Sequence, residues 1–413
     1  MFREWAWHKQ EYNKYTFCIL SSTLAQRVPC VLANVLTQSR PGPSAKPATR
    51  TTQPRPLPKE CPMSAATMLT PKALMQEVEA IFLAAGLSPL QATPLARVIV
   101  AGERDGCKSH GIFRIEGCLR TIRQAKVNPV AVPQLSQDDS AIVRVDARGG
   151  FANAAFDLGA PALASRARAL GLAALVINDC THFSALWPEV EALTELGLAA
   201  IAMCPSYATV APFGGTRPLM GTNPFAFGWP RPQHAPFVFD FATSVAARGE
   251  VELHRIAGTP LPEGWAVDAD GTPTRDAAAA LQGAMLPFGG HKGSAISLMI
   301  ELLAGVMIGD LTSPEALAFI GTTAVAPRHG ELILAFCPHR FAAARGGLDM
   351  SRAETLFDAV LGMGARLPSE RRYAARAVSD AQGIALSADE RAMLDRLKDG
   401  ASGTSAAETA RGS

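Results

Sequence analysis

The chain reads as an α/β protein of mixed α+β character with more than one domain. Three observations lead there. Segments of helical period alternate with short apolar runs bounded by turn residues, the pattern of strands connected through helices. A length of 413 residues exceeds what one hydrophobic core normally serves. No Gly-x-Gly-x-x-Gly follows any of the apolar runs, and Gly-x-x-x-x-Gly-Lys-Ser/Thr is missing from the sequence. The common phosphate-binding loops are therefore excluded, and a nucleotide site has to be built another way.

Taken in order, Thr70-Pro71 opens a helix with proline in its first turn, and Leu74, Val78, Ile81, Phe82 and Ala85 recur at helical spacing before Gly86. A second helix starts near Ser88-Pro89 and reaches about Arg104. Residues 111–126 carry a third helical pattern, stopping before Asn128-Pro129. Residues 141–145 are a short strand, 155–170 an alanine-rich helix and 173–178 a buried strand. A helix over 188–196 precedes strands at 199–203 and 237–240. Residues 295–307 form a strongly apolar helix and 331–336 a strand. Helices over 353–363 and 388–398 close the chain, the last with Ser387 placed as its N-cap.

Composition narrows the function. An apolar share of 48% with 18% charged residues suits a well-packed globular protein. Residues 1–62 hold nine Lys/Arg against three Asp/Glu, a net +6, which leaves −4 for the rest of a chain whose total is +2. A mildly acidic body without a basic stripe argues against nucleic-acid binding. The apolar stretch 17–36 is interrupted by Arg27 and Pro29, short of a membrane span, and 41–62 is too rich in Pro, Thr, Arg and Ser to bury a core. We expect this extension to be disordered or non-native, with Met63 or Met68 as the true start, or else a targeting segment. Eight cysteines without a C-x-x-C pair point to a reducing, cytoplasmic setting.

The run Lys108-Ser109-His110-Gly111-Ile112-Phe113-Arg114 places an alcohol, an imidazole and a guanidinium together. Histidine exchanges a proton near neutral pH, and the arginine fork suits a carboxylate. A small 2-keto, 2-hydroxy or 2-imino acid needs that pair at its reacting carbon. Taken alone, the run fits a capping serine with solvent-facing His110 and Arg114 at least as well. Cys107 has no activating neighbour in sequence and reads as packing. His254, His329 and His339 fall in no motif and read as surface or structural, and no ligand spacing for a metal is present.

Rigid turn-rich stretches recur further on: Asn178 to Trp187, Pro212 to Ala226, Asp240 to Glu250, and Phe288-Gly289-Gly290-His291-Lys292-Gly293-Ser294. In this order and spacing, from about Thr70 to about Leu397, they resemble the malate/L-lactate dehydrogenase superfamily, whose fold is not the Rossmann one. Within it the runs His182–Trp187 and Phe288–Ser294 look most like the NADPH-dependent delta-1-piperideine-2-carboxylate/delta-1-pyrroline-2-carboxylate reductases.

The resemblance implies a helical substrate and dimer domain beside a cofactor-binding sheet domain. It divides the chain into 63–140, an NADPH-binding part over 141–310, and 311–413 returning to the catalytic domain. It makes His110 the proton donor, in a relay with Ser109 and with Glu250, where those reductases carry aspartate. Arg114 and Thr222 would hold the substrate carboxylate, with the backbone at Arg248 and Gly249 completing the pocket. NADPH would lie along His182, Phe183, Ser184, Ala185 and Leu186, along Asp240, Phe241 and Ala242, and at His291 and Lys292. Glycine backbone at 289–290 permits close approach to phosphate. The late segment Arg366, Leu367, Pro368, Ser369, Glu370, Arg371 and Arg372 would meet the 2′-phosphate, although its arginines alone also fit a solvated turn.

The expected activity is NADPH-dependent reduction of a cyclic imino acid to L-pipecolate or L-proline by a homodimer. Protonation makes an imine a better hydride acceptor, so the expectation includes a cationic His110 near pH 7. An NAD(P)-dependent 2-hydroxy acid dehydrogenase uses the same residues and stays open. A catalytically impaired cofactor-binding protein is the third reading, prompted by Glu250.

Overall fold

The computed structural model describes residues 67–409, and the readings made for 1–62 lie outside them. The elements run β1 Thr67–Leu69, α1 Pro71–Ala84, α2 Pro89–Arg104, α3 Ile115–Arg123, β2 Gln134–Gln137, β3 Ile142–Asp146, α4 Ala152–Leu170, β4 Leu172–Thr181, α5 Trp187–Glu195, β5 Ala199–Met203, β6 Phe225–Trp229 and β7 Phe237–Phe241. They continue with α6 Arg248–Ala257, β8 Ala266–Val267, β9 Pro273–Thr274, α7 Ala277–Gln282, β10 Ala284–Met285, α8 His291–Glu301, α9 Ser313–Ile320, β11 Arg328–Phe336, α10 Pro338–Ala342, α11 Ser351–Gly362, α12 Glu370–Gln382, β12 Ile384–Leu386 and α13 Ala388–Thr409.

The capping signals act as expected: Thr70 Oγ1 accepts from Ala73 N at 3.1 Å, and Ser387 and Glu390 exchange a reciprocal pair at the start of α13. Other boundaries differ for physical reasons. The helix expected from residue 111 begins at Ile115. Before it come two short 3₁₀ turns, Lys108–His110 and Ile112–Arg114, because the Glu103 carboxylate takes the Ile112 N–H at 3.0 Å and draws the chain off a helical path. α8 starts earlier than expected, at a Gly290 with φ +61 that lets the chain turn into it, and ends in a π-turn at Leu302–Val306. Strand β6 and helices α6 and α12 were not anticipated: Pro224, Gly249 and Pro368 made each segment read as loop.

The main sheet has the order β2-β3-β4-β11-β5-β6-β7. β3 and β4 are parallel and the other pairs antiparallel. Alternation along the strands splits their side chains between two layers. Leu175, Ile177, Ile333 and Ala335 join α4 and α5 on one face, while Val176, Met203 and Leu332 meet Ile300 and Ala304 on the other. A second core brings α1, α2 and α3 together with Phe151, Ile384, Leu386 and Leu394, and β1 pairs with β12. Among the described residues no helix is long and apolar enough to cross a membrane.

Leu163 of α4 is fully buried against the sheet, whereas Leu170 of the same helix is 56% exposed. Leu163→Ala is expected to cost about 2–5 kcal/mol in urea unfolding, and Leu170→Ala about 0.5 kcal/mol or less. Equal losses would contradict this layer assignment.

Candidate active site

The pairing senses place the C-terminal ends of β4, β5 and β7 and the N-terminal end of β11 along one edge of the main sheet. The loops leaving that edge meet the 108–114 turns and the first turns of α6 and α12 around a cavity of about 620 Å³. That size suits a small ligand with part of a cofactor.

Ser109 and His110 stand on the first 3₁₀ turn, with Ser109 Oγ 3.1 Å from His110 Nδ1. The turn lies hard against α2: a side chain at Gly102 would put its Cβ 2.5 Å from the His110 carbonyl oxygen. Arg114 ends the second turn, its Nε donating to Ser109 O at 2.6 Å and its guanidinium stacked 4.3 Å over the Phe183 ring. Phe183 in turn rests on the backbone of α3 at Gly117. Thr222 lines the same wall, its carbonyl held by Thr243 N at 2.8 Å. Arg248 lines it too, donating to Thr323 Oγ1 at 3.0 Å, and Gly249 lies buried beside Arg114.

Two expectations about the proton relay need correction. Glu250 reaches the cavity wall from the first turn of α6, but it is exposed and makes no hydrogen bond to Ser109 or His110. Its place in α6, unseen in the sequence, turns the carboxylate toward solvent. His110 is not cationic in this cavity. Burial pushes its pKa down from the ordinary 6.5 to about 3, and the Arg114 charge presses the same way.

The expected cofactor residues divide. His182, Phe183, Ser184, Ala185, Asp240, Phe241, Ala242, Ser369, Arg371 and Arg372 line the cavity. Leu186 lies in the sheet core and reaches the site through its backbone: Asp240 Oδ2 accepts from Leu186 N at 2.8 Å and Trp187 N at 2.9 Å, closing the N-terminus of α5. His291 and Lys292 stand exposed on the first turn of α8, outside the wall, with the His291 ring 5.9 Å from that of Phe213. Arg366 and Pro368 are exposed, Leu367 is buried and Glu370 is half-buried, all four away from the wall.

Arg372 is already committed. It is buried, bonds Glu191 Oε2 at 2.9 Å and Asp105 Oδ2 at 3.3 Å, and lies 5.0 Å over Trp187. Arg371, exposed at the wall, is the guanidinium of that segment left for a phosphate. The cofactor fit therefore rests on Arg371 and on the wall at His182, Phe183, Ser184 and Ala185, while the positive-φ glycines 289–290 lie outside that wall with His291 and Lys292.

Sequence reasoning missed several groups. Tyr207 is buried beside Arg114, its hydroxyl donating to Thr323 O at 3.1 Å. His329 is not a bystander: it lines the cavity, its ring 5.9 Å from that of His182. The fold also gathers His182, Glu189 and Glu331, three potential ligand side chains with no common spacing in sequence. Cys107 keeps its reading as packing, since burial pushes its thiol up to about 11.

The malate/L-lactate dehydrogenase family profile matches residues 69–395. The chain belongs to the malate/L-lactate dehydrogenase family. Over 336 residues it is 70% identical to the Delta(1)-pyrroline-2-carboxylate reductase of Agrobacterium fabrum, covering 81% of this chain and 97% of that one. It is 56% identical over 292 residues to the Delta(1)-pyrroline-2-carboxylate/Delta(1)-piperideine-2-carboxylate reductase of Pseudomonas aeruginosa, 71% of this chain and 87% of that protein. The crystal structure of delta1-piperideine-2-carboxylate reductase from Pseudomonas syringae pv. tomato superposes with a TM-score of 0.76 at 41% identity, covering 80% of this chain and 99% of that one. The same fold occurs at 20% identity in malate dehydrogenase from Entamoeba histolytica, with a TM-score of 0.74 covering 81% of this chain and 98% of that one.

The half-buried His110 is expected to keep the NMR signature of a neutral imidazole in the ligand-free protein from about pH 8 to about pH 5. A titration midpoint near 6.5 would contradict its environment. Because the folded pKa lies below the unfolded one, His110 contributes stability that is lost as pH falls from about 6.5 toward 3. His110→Gln is therefore expected to flatten the stability loss between about pH 7 and pH 5.

Proposed function

We propose that this protein is an NADPH-dependent reductase of cyclic imino acids, converting delta-1-pyrroline-2-carboxylate to L-proline and delta-1-piperideine-2-carboxylate to L-pipecolate. The observation that carries the reading is the junction of His110 and Arg114 in one cavity, tied through Ser109. The high identity to reductases of that name supports it.

Arg114 pairs with the substrate carboxylate, assisted by the Thr222 hydroxyl and the backbone N–H groups at the α6 N-terminus around Gly249. The bound carboxylate offsets the Arg114 charge, which adds to burial in holding His110 neutral, so substrate binding raises the histidine toward protonation. Nδ1 is taken by Ser109, so Nε2 carries the proton delivered to the imine nitrogen. Reduced nicotinamide, when bound, supplies the hydride to the C=N carbon. His182, Phe183, Ser184, Ala185 and Ala242 wall the cofactor space, and Arg371 offers a guanidinium to the 2′-phosphate that distinguishes NADPH. Glu250 contributes charge at the cavity mouth and no relay bond.

The proposed homodimer has a candidate face. Leu298, Leu302 and Val306, at successive helical turns of α8 and its π extension, are 54%, 52% and 59% exposed, a ridge that a second copy would cover. Leu302→Glu is expected to shift the sedimentation coefficient toward the monomer, and an unchanged value would remove this face from consideration. The described cysteines are all unpaired, which suits the cytoplasm as the proposed compartment.

The test is a substrate panel with NADPH and NADH: cyclic imino acids against pyruvate and oxaloacetate. Turnover of the 2-keto acids alone would favour a 2-hydroxy acid dehydrogenase, and cofactor binding without any turnover an impaired binding protein. His110→Ala is expected to lower kcat by roughly 10²–10⁴-fold with NADPH affinity nearly unchanged, measured by fluorescence. Unaffected turnover would exclude His110 as the donor.

A further inference from the structure

Directly behind the cavity wall lies a buried group of acids that the reaction above does not use. Glu189 of α5 and Glu331 of β11 converge on His182, with Glu189 Oε1 3.9 Å and Glu331 Oε2 3.8 Å from Nε2. Their side chains are 3%, 0% and 3% exposed respectively. All four carboxylate oxygens and Nε2 lack a hydrogen-bond partner. The central strand is shaped for this: its register slips between His329 and Glu331, a bulge of the kind that re-aims a side chain. Glu331 then falls on the α5 face, in step with Ile333 and Ala335.

Among the described residues no lysine or arginine pairs with either glutamate. The titratable groups around them are His182, His329, Cys180, Cys204, Asp240 and Asp157. Two bare carboxylates without a cation cannot persist in such a place, because each costs several kcal/mol to desolvate. One proton held between them satisfies the oxygens facing each other and leaves a single negative charge. The directions agree: burial raises Glu331 well above the usual carboxylate range and moves Glu189 to about 7.

We propose that Glu189 and Glu331 form a one-proton carboxyl pair that anchors His182 as an Nε2–H donor on the wall of the cofactor cavity. The two glutamates are positioning residues. Since carboxylate oxygens can only accept, the His182 proton is drawn to Nε2, and Nδ1 is left as a hydrogen-bond acceptor for the bound cofactor. The inference rests on the cofactor reading above for its consequence, though the pair itself does not depend on it.

The test uses the full-length protein in parent, Glu331→Gln and Glu331→Ala forms. Difference infrared spectra of parent against Glu331→Gln at neutral pH are expected to show a protonated-carboxyl C=O band that shifts in D₂O and is lost in the variant. Glutamine reproduces the neutral acid, so Glu331→Gln is expected to keep kcat and the NADPH Kd within about threefold. Glu331→Ala leaves Glu189 unsupported and is expected to weaken NADPH binding and lower kcat, each by roughly tenfold or more. Absence of the band overturns the proposal. So does equal behaviour of the two variants, or a stoichiometric divalent metal in the acid-digested parent. The infrared band, the metal content and NADPH binding need no imino acid, so failure of the pair and failure of the proposed substrate are separately visible.

Discussion

One buried carboxylate decides where the reacting histidine stands. Glu103, near the end of α2, accepts from the Ile112 N–H at 3.0 Å with one oxygen and from Lys108 Nζ at 2.6 Å with the other. Those two partners bracket Ser109 and His110. Burial alone would raise Glu103 far toward neutrality, and the Lys108 charge opposes this without abolishing it. The contact works only because glycine occupies both flanks: a Cβ at Gly111 would lie 2.1 Å from Glu103 Oε1, and one at Gly102 would strike the His110 carbonyl. Ser-His-Gly is thus half of a lock whose other half is Gly-Glu on the preceding helix.

The same helix end carries a second anchor with a different task. Asp105 binds Arg376 at 2.6 Å and Arg372 at 3.3 Å, and Glu191 of α5 binds both arginines at 2.6–3.0 Å. Two carboxylates and two guanidinium groups balance in charge, and the bidentate geometry recovers much of what desolvation costs. Burial would lift Asp105, yet the bonds and charges of the arginines prevail and hold it below its ordinary value. The cluster ties α2, α5 and α12 together, so the catalytic turn and the cofactor wall share one support. Arg372 stacked on Trp187, itself edge-on to His110 at 6.1 Å, links the anchors to the chemistry.

What the sequence made legible was mostly local. Caps at Thr70 and Ser387, the helical spacing of Leu74, Val78 and Ile81, and the apolar runs of β4 and β5 all act over a few residues. The Ser109-His110 motif and Arg114 were legible as chemistry for the same reason. Asp105, Glu191 and Arg376 were not, because their partners lie as far as 271 residues away; Glu103 was not because its near partners Lys108 and Ile112 reach it only through the 3₁₀ turns. Glu250 shows the converse error: the right residue type sits at the right place in a motif, but α6 turns it toward water. Arg372 was chosen for its charge, and that charge is spent on Asp105 and Glu191.

Charge bookkeeping around the cavity explains why the site is built from such opposed parts. Burial first, and the Arg114 charge with it, hold His110 neutral. A carboxylate ligand cancels the Arg114 part of that penalty, so a proton on His110 costs less once the substrate is bound. Behind the wall the Glu189–Glu331 pair supplies one fixed negative charge that solvent does not screen. The site thus favours protonation only when an anion of the right reach is in place. A neutral or cationic molecule entering the same cavity leaves Arg114 uncompensated and His110 without its proton, and specificity for a carboxylate becomes a condition of turnover as well as of binding.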